Sequence, residues 1–361
     1  MKKSAILLSL LVLTLISYGC GKKEDVIKIG VAGPMTGDQA KMGTDFKNGV
    51  ALAVEEWNAK GGVLGKKIEI MVEDDQHEPK QAVSIANKIV NAGVAGIIGH
   101  FNSSCSIPAS DVYNRAGIPM ISPGSTNPRL TEKGYRGVSR VCGRDDQQGK
   151  VGAEFVISKL KLKKIAIIHD KTTYGQGLAD EFKKFITGKV EVVYYSGIIQ
   201  GDKDFKTVLT AMKDKKPELI YFGGIYPEAG LIVRQAKELG INVPLMSGDG
   251  TIDPKFIEIA GAKAAEGTYL TFSPDARKIP TAKAFIDAYE KKFGEIGPYS
   301  IYAYDAANVM LTAIKEANTK DGKVIIDKLH SMEFNGAVGK IKFDEKGDVT
   351  VAPYIVWITK N

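Results

Sequence analysis

From Ile27 to Met246 the chain alternates short apolar runs with amphipathic stretches almost without a break, and this alternation constrains the fold more than any other feature. Residues 27–32 and 68–72 read as strands. Between them, residues 42–58 place Phe46, Val50, Ala53, Val54 and Trp57 at helical spacing, and Gly61-Gly62 stops the helix. Residues 79–91 carry Ala82, Ile85, Ala86, Ile89 and Val90 on one face, and 94–98 is a wholly apolar run of the kind that strands buried on both faces use. A second series follows Arg144-Asp145-Asp146-Gln147-Gln148. It reads helix 149–160, strand 164–169, helix 177–186, strand 190–195, helix 205–213, strand 219–222, helix 228–239 and strand 244–246. Strands alternating with helices predict an α/β fold with parallel sheets covered on both faces. A globular body of about 340 residues exceeds what one core holds, so the two series predict two doubly wound lobes.

The strand ends carry the chemistry. Gly99-His100-Phe101-Asn102-Ser103-Ser104 closes one apolar run and opens a helix with hydroxyls, where free N–H groups and the positive end of the helix dipole attract an anion. One serine there is equally an N-cap. The reading is strengthened one β-α unit later, where Pro119-Met120-Ile121 leads into Ser122-Pro123-Gly124-Ser125-Thr126-Asn127. The second series has matching loops: His169 to Gly177, which includes Tyr174, and Ser247-Gly248-Asp249-Gly250. Flanking glycines let the chain turn tightly while the Asp249 carboxylate projects outward. Asp249 is thereby expected to contribute little to packing. Taken alone, it could equally cap the segment starting near Asp253, and Tyr174 could be a half-buried packing residue. All these loops fall at C-terminal ends of strands, where open α/β sheets bind ligands.

Lys2 and Lys3 precede a short apolar run, Ala5 to Ile16, which has the form of a secretory signal. The run ends at Ser17-Tyr18-Gly19-Cys20, which resembles a bacterial lipoprotein box. That implies removal of residues 1–19, acylation of Cys20 and a polar tether over 20–25. Nothing later approaches transmembrane length, so contact with a membrane is expected only through the lipid anchor. The formal charge of +7 is spread over Lys-rich helices with no dense basic block, which argues against nucleic-acid binding. Cys105 and Cys142 are too few for a disulfide framework and stand either as a pair or as free thiols. His77, His100, His169 and His330 show no metal-ligand spacing. Gly30 to Gly37 lacks dinucleotide spacing, no G-x-S-x-G elbow occurs, and Gly61 to Lys67 reads as a turn rather than a phosphate loop. No cofactor, metal or catalytic residue is expected.

Several runs in order resemble the leucine–isoleucine–valine-binding proteins of ABC importers. They are Asp74-Asp75 with Pro79-Lys80-Gln81-Ala82-Val83, Gly99-His100 with Ser103-Ser104, and Pro108 to Tyr113. His169-Asp170-Lys171 with Tyr174-Gly175-Gln176-Gly177, and Asp344 to Asp348, complete the set. The resemblance runs from about Ile27 almost to the C-terminus. It implies a type I periplasmic binding fold, in which two α/β lobes joined by three crossovers close on a ligand. The crossovers would fall near 143–147, 271–275 and 344–351. One lobe would comprise 26–144 plus 275–347 and the other 145–274 plus 348–361. A final hairpin, 339–343 with 354–359, would return the chain to the second lobe.

The resemblance further implies an exported, monomeric protein that binds leucine, isoleucine, valine or a similar small neutral amino acid and partners an ABC permease. Ser103 matches the serine that holds the ligand's carboxylate, and Thr126 the threonine that touches both carboxylate and ammonium. Gly124 matches a small residue whose carbonyl accepts from the ammonium. Tyr174 matches a tyrosine that closes from the second lobe, and Asp249 stands where many members carry an ammonium-binding glutamate. Ser125 belongs to the same loop, and Phe101 aligns with a residue facing the ligand's side chain. Met42, Ile225 and Tyr226 would complete the side-chain pocket. The alternative of the same fold is a ligand-sensing receptor for an amino acid, amide or aromatic acid that passes closure to a signalling partner.

Overall fold

The computed structural model describes residues 25–360. The expected signal over 1–19, Cys20 and the tether up to residue 24 lie outside them. Five strands form the first sheet: β1 (Ile27–Gly33), β2 (Ile68–Asp74), β3 (Gly96–Ile98), β4 (Met120–Ser122) and β5 (Val138–Arg140). Their order is β2-β1-β3-β4-β5, and every pairing is parallel. Val31, Ile98 and Ile121 turn one face toward Phe46 and Val50 of helix Ala40–Ala59 and Ala303 and Met310 of helix Ser300–Ala317. These two helices touch at Gly49, where a Cβ would lie 2.4 Å from the Ser300 carbonyl oxygen. Ile97 and Met120 face the other way, onto helices Pro79–Asn91 and Ser103–Ala116.

The second sheet contains β6 (Lys164–His169), β7 (Glu191–Gly197), β8 (Leu219–Gly223), β9 (Leu245–Ser247) and β10 (Tyr269–Phe272). It is completed by a last strand after the hairpin β11 (Phe334–Gly336) and β12 (Gly339–Ile341), namely β13 (Ile355–Ile358). The order is β13-β10-β9-β8-β6-β7, parallel except for β13. Ile165 and Ile167 pack on Leu178 and Phe182, whose ring stacks on Tyr221 at 3.7 Å. Ile168 and Ile220 pack on Leu209, Ile232 and Phe256. The chain passes between the sheets after β5, after β10 and after β12.

Three expectations need correction. Residues 339–343 and 354–359 do not pair with each other. β12 pairs with β11, because the Asp305 carboxylate accepts the Ala337 and Val338 N–H groups, each at 2.8 Å, and fixes a tight turn. Residues 355–358 instead take the open edge of β10. The helix expected from 149 begins at Asp145, because the Gln147 side chain accepts the Arg144 N–H at 3.1 Å and pulls this polar run into the first turn. Likewise the helix expected from 177 begins at Thr173, because the Thr172 hydroxyl accepts the Gly175 N–H at 2.9 Å. Tyr174 therefore sits on a helix and not in a loop.

Candidate functional site

Loops at the ends of β3 and β4 form one wall of a cleft between the sheets. Ser103 is the first residue of its helix, so the leading N–H groups of that helix point to the strand end. Hydrogen bonds stitch the two loops together. The Ser122 hydroxyl donates to the His100 carbonyl at 2.8 Å and accepts the Ser125 N–H at 2.9 Å. The Ser125 hydroxyl donates to the Phe101 carbonyl at 2.7 Å and lies 2.5 Å from that of Ser106. From below, buried Arg140 donates to the carbonyls of Ser125 (2.8 Å) and Asn127 (3.0 Å). A Cβ on Gly124 would lie 2.7 Å from the Phe101 ring, so glycine there lets this ring lie over the loop. Phe101 in turn meets Tyr299 edge-on, with ring centroids 5.0 Å apart.

The opposite wall is built on the turn after β9. Asp249 is buried, with one oxygen accepting from the Tyr174 hydroxyl and the other from the Tyr299 hydroxyl, both at 2.8 Å. The Gly250 N–H donates to Tyr174 Oη at 2.9 Å and holds that ring in place. Burial raises the Asp249 carboxyl above its ordinary range, and the hydroxyls of Tyr299 and Tyr174 oppose this only in part. Burial likewise raises both tyrosines. Tyr299 precedes helix Ser300–Ala317, which packs on the first sheet, so its bond to Asp249 spans the cleft. Asn127 also crosses to the Thr173 carbonyl (2.8 Å), Lys203 to Asp38 (3.0 Å), and the Tyr226 hydroxyl to the Asp38 carbonyl. The two walls are in contact.

Phe101, Ser103, Gly124, Tyr174, Ile225 and Asp249 border a small cavity of about 20 Å³ between the closely apposed walls, and Tyr299 completes it. A larger groove of about 830 Å³ beside Trp57 and Lys60 is remote from the strand ends and contains none of the expected residues. The remaining expected positions do not border the cleft cavity. The Ser125 hydroxyl is spent on joining its loop to the one after β3. Met42 is fully buried in the core beside Phe46, and Tyr226 reaches Asp38 instead. The Thr126 hydroxyl is buried beside the Asp145 carboxyl.

Asp249 is not the cap of the next helix, since Asp253 caps it by accepting the Lys255 N–H at 2.8 Å. Nor is it marginal to packing, as its two tyrosyl partners show. Arg140, which props the loop from below, and Tyr299, which lines the cavity, were missed as site residues. Arg140 sat in a plain strand pattern and Tyr299 just before a helix start, with no flanking glycine or hydroxyl cluster to single them out. His100 is committed elsewhere, with Nδ1 2.7 Å from Asp75 and Nε2 3.0 Å from the Tyr113 hydroxyl. Cys105 and Cys142 are separate buried thiols. Among the described residues no group of three or more His, Cys, Asp or Glu side chains is placed to hold a metal ion.

Comparison with known proteins agrees with this two-walled cleft. The "Periplasmic binding protein" family model matches residues 26–359. An amino acid binding protein of Pseudomonas aeruginosa is 41% identical over 354 residues, covering 97% of this chain and 94% of that one. The crystal structure of the leucine binding protein LivK from Thermotoga maritima has a TM-score of 0.86 and 35% identity, covering 93% of this chain and 96% of that one. LivJ from Streptococcus pneumoniae, a branched-chain amino acid transporter substrate binding protein solved with isoleucine, has a TM-score of 0.83 and 34% identity over 90% and 93% of the two chains. With two wound α/β sheets, three chain crossings and a cavity at the facing strand ends, this chain belongs to the periplasmic binding proteins, a family of solute binders and not of enzymes.

Proposed function

We propose that this protein captures a branched-chain or similar small neutral amino acid between its lobes and delivers it to the permease of an ABC importer. The carrying observation is the pairing of opposite electrostatics across one cavity. A helix N-terminus with Ser103 lies on the first wall, and the buried Asp249 carboxylate lies on the second. In this reading the Ser103 hydroxyl and the leading N–H groups of its helix take the ligand's carboxylate. Asp249 takes the ammonium, with the Gly124 carbonyl and, after a small rearrangement, the Thr126 hydroxyl. Phe101 and Ile225 face the side chain, while Met42, Ser125 and Tyr226 support the walls from behind. A zwitterion joins two rigid bodies, and only the closed form satisfies both of its charges, so binding favours closure. Micromolar affinity requires only about −8 kcal/mol, within reach of a ligand with so few atoms.

The names of its relatives support this ligand class. Export, processing before Cys20 and a lipid anchor at that residue belong to the same proposal, as does action as a monomer. The test is a melting and calorimetric screen of all neutral amino acids. Branched-chain members should raise the melting temperature in proportion to the logarithm of their excess concentration. A screen with neither shift nor heat would sink the reading and bring amides and aromatic acids forward.

A further inference from the structure

A second cavity, of about 330 Å³, lies at the hinge. All three passages of the chain between the sheets line it: residues 141–143 after β5, 273–274 after β10, and 349 with 351–354 after β12. Asp249 and Tyr299 are the two residues that border both it and the cleft cavity, so their hydrogen-bonded pair stands between the two spaces.

The hinge cavity is built of rings and aliphatic side chains. Phe272, Tyr299 and Tyr302 meet with centroids 5.7 to 6.5 Å apart, and Val141, Ile341 and Val349 are buried beside them. Its polar groups are few, and most are committed. The Tyr302 hydroxyl donates to that of Ser273 at 2.6 Å, and both Asp249 oxygens accept tyrosyl hydroxyls. The Cys142 thiol faces the Ser125 carbonyl at 3.6 Å. Lys340, the one cation in the lining, is exposed and paired with Glu333 at 2.6 Å. The Tyr354 hydroxyl is the exception. Its ring lies on Gly143, where a Cβ would come within 2.4 Å of it, and no hydrogen bond within the described residues engages its oxygen.

Size and chemistry together narrow what fits. Sites for small organic molecules begin at about 300 Å³, and apolar cavities of about 150 Å³ already accept a benzene ring. An anion would meet the Asp249 carboxylate with no buried cation to balance it. We propose that the hinge cavity is a second ligand site, which takes a small neutral aromatic molecule with one hydroxyl or N–H and is positively coupled to the cleft. The ring lies among Phe272, Tyr302 and the aliphatic wall, and the polar tip meets the Tyr354 hydroxyl. Rotation of the lobes must move the three passages that form the cavity. The cavity exists here with the cleft walls in contact, so a molecule that fills it favours this arrangement over an open one. The site stands apart from the amino-acid reading above, and only its coupling rests on that reading.

Fluorine NMR titration of the protein with 4-fluorophenol tests it. Binding should saturate, and 4-fluorobenzoate should bind roughly tenfold more weakly or worse, because it brings a like charge toward Asp249. Ala352→Phe puts a ring into the cavity at a position that does not border the cleft cavity. It should weaken 4-fluorophenol by roughly tenfold or more, since the space is then filled. Tyr354→Phe should weaken 4-fluorophenol about fivefold and leave fluorobenzene, which has no hydroxyl, unchanged. With saturating L-isoleucine, 4-fluorophenol should bind about threefold tighter, and isoleucine should gain the same factor from 4-fluorophenol.

A shift that never saturates, or equal affinity in the parent and Ala352→Phe, would overturn the site. Equal losses of 4-fluorophenol and fluorobenzene in Tyr354→Phe would overturn the hydroxyl contact. Isoleucine that binds yet leaves 4-fluorophenol unchanged or weaker would overturn the coupling. If isoleucine does not bind at all, the amino-acid reading fails, and the titrations without it still decide the hinge site. Should Ala352→Phe not fold, the two probes in Tyr354→Phe and the contrast with 4-fluorobenzoate decide it.

Discussion

Asp348 and Asp145 are two buried carboxylates that lie near the same guanidinium, yet their surroundings are opposite. One oxygen of Asp348 accepts from Arg140 Nε (2.6 Å) and the Thr131 hydroxyl (3.0 Å), and the other from Arg144 Nη1 (2.7 Å). Asp145 carries no cation, and the neighbouring Thr126 hydroxyl offsets only in part the rise that burial gives its carboxyl. Asp348 lies on the chain's last passage between the sheets, and its partners come from β5, the loop after β4 and the start of the second series. A saturated carboxylate of this kind fixes the hinge around which the lobes are arranged. Within one molecule, the number of committed lone pairs separates the aspartate that ties the passage between the sheets together from one whose carboxyl burial pushes up.

The comparison is broken most directly at Arg140. Arg140→Met would leave buried Asp348 with Arg144 as its only cation and release the carbonyls of Ser125 and Asn127. Removing one partner of a buried ion pair costs about 3–5 kcal/mol of stability, read as a lowered denaturant midpoint. A loss below about 1 kcal/mol would show that the network is a bystander.

Asp249 sharpens the contrast because it stands between the extremes, with one tyrosyl donor on each oxygen. Asp249→Ala should weaken amino-acid binding by roughly 2–5 kcal/mol. It should also lower stability by about 1–3 kcal/mol, since two buried hydroxyls lose their acceptor. 4-Methyl-2-oxopentanoate, which lacks the ammonium, should bind the parent poorly and lose little further affinity in the variant. Unchanged binding of the parent's best amino acid would remove Asp249 from the site.

Much of this was legible in the sequence, for physical reasons that differ by region. Strand and helix alternation reports burial directly, so residues 79–91 and 164–169 were bounded correctly from periodicity alone. Helix starts were read late at Asp145 and Thr173, where capping side chains draw polar residues into the first turn and hide it behind a loop-like composition. The hydroxyl-rich loops and Asp249 stood out because glycines and strand ends mark them. Ser125 carried the same marks yet ties its loop to the neighbouring one, since composition cannot tell a hydroxyl facing a cavity from one facing a carbonyl. Arg140, Asp145 and Tyr299 gain their meaning only from partners far along the chain, such as Asp348 and Asp249. Periodicity carries no information about those distances.

The smallest expected effect concerns the bond that ties the two walls together without a ligand. Tyr299 and Asp249 meet at 2.8 Å, both buried, and the ring is held by Phe101 and by Phe272, with centroids 5.0 and 5.7 Å away. Tyr299→Phe keeps that ring packing and removes only the hydroxyl, so the fold should stay within about 1 kcal/mol of the parent. Closure then loses one of its cross-cleft bonds, while the freed Asp249 oxygen becomes available to an ammonium. These effects oppose each other in affinity but not in kinetics. A less firmly latched cleft opens sooner, so ligand release should quicken by about fivefold with association little changed. Stopped-flow release with a fluorescent reporter on one lobe would measure it. Slower release in Tyr299→Phe would mean that the hydroxyl competes with the ligand for Asp249 more than it latches the lobes, and the third position on that carboxylate would then belong to the ammonium alone.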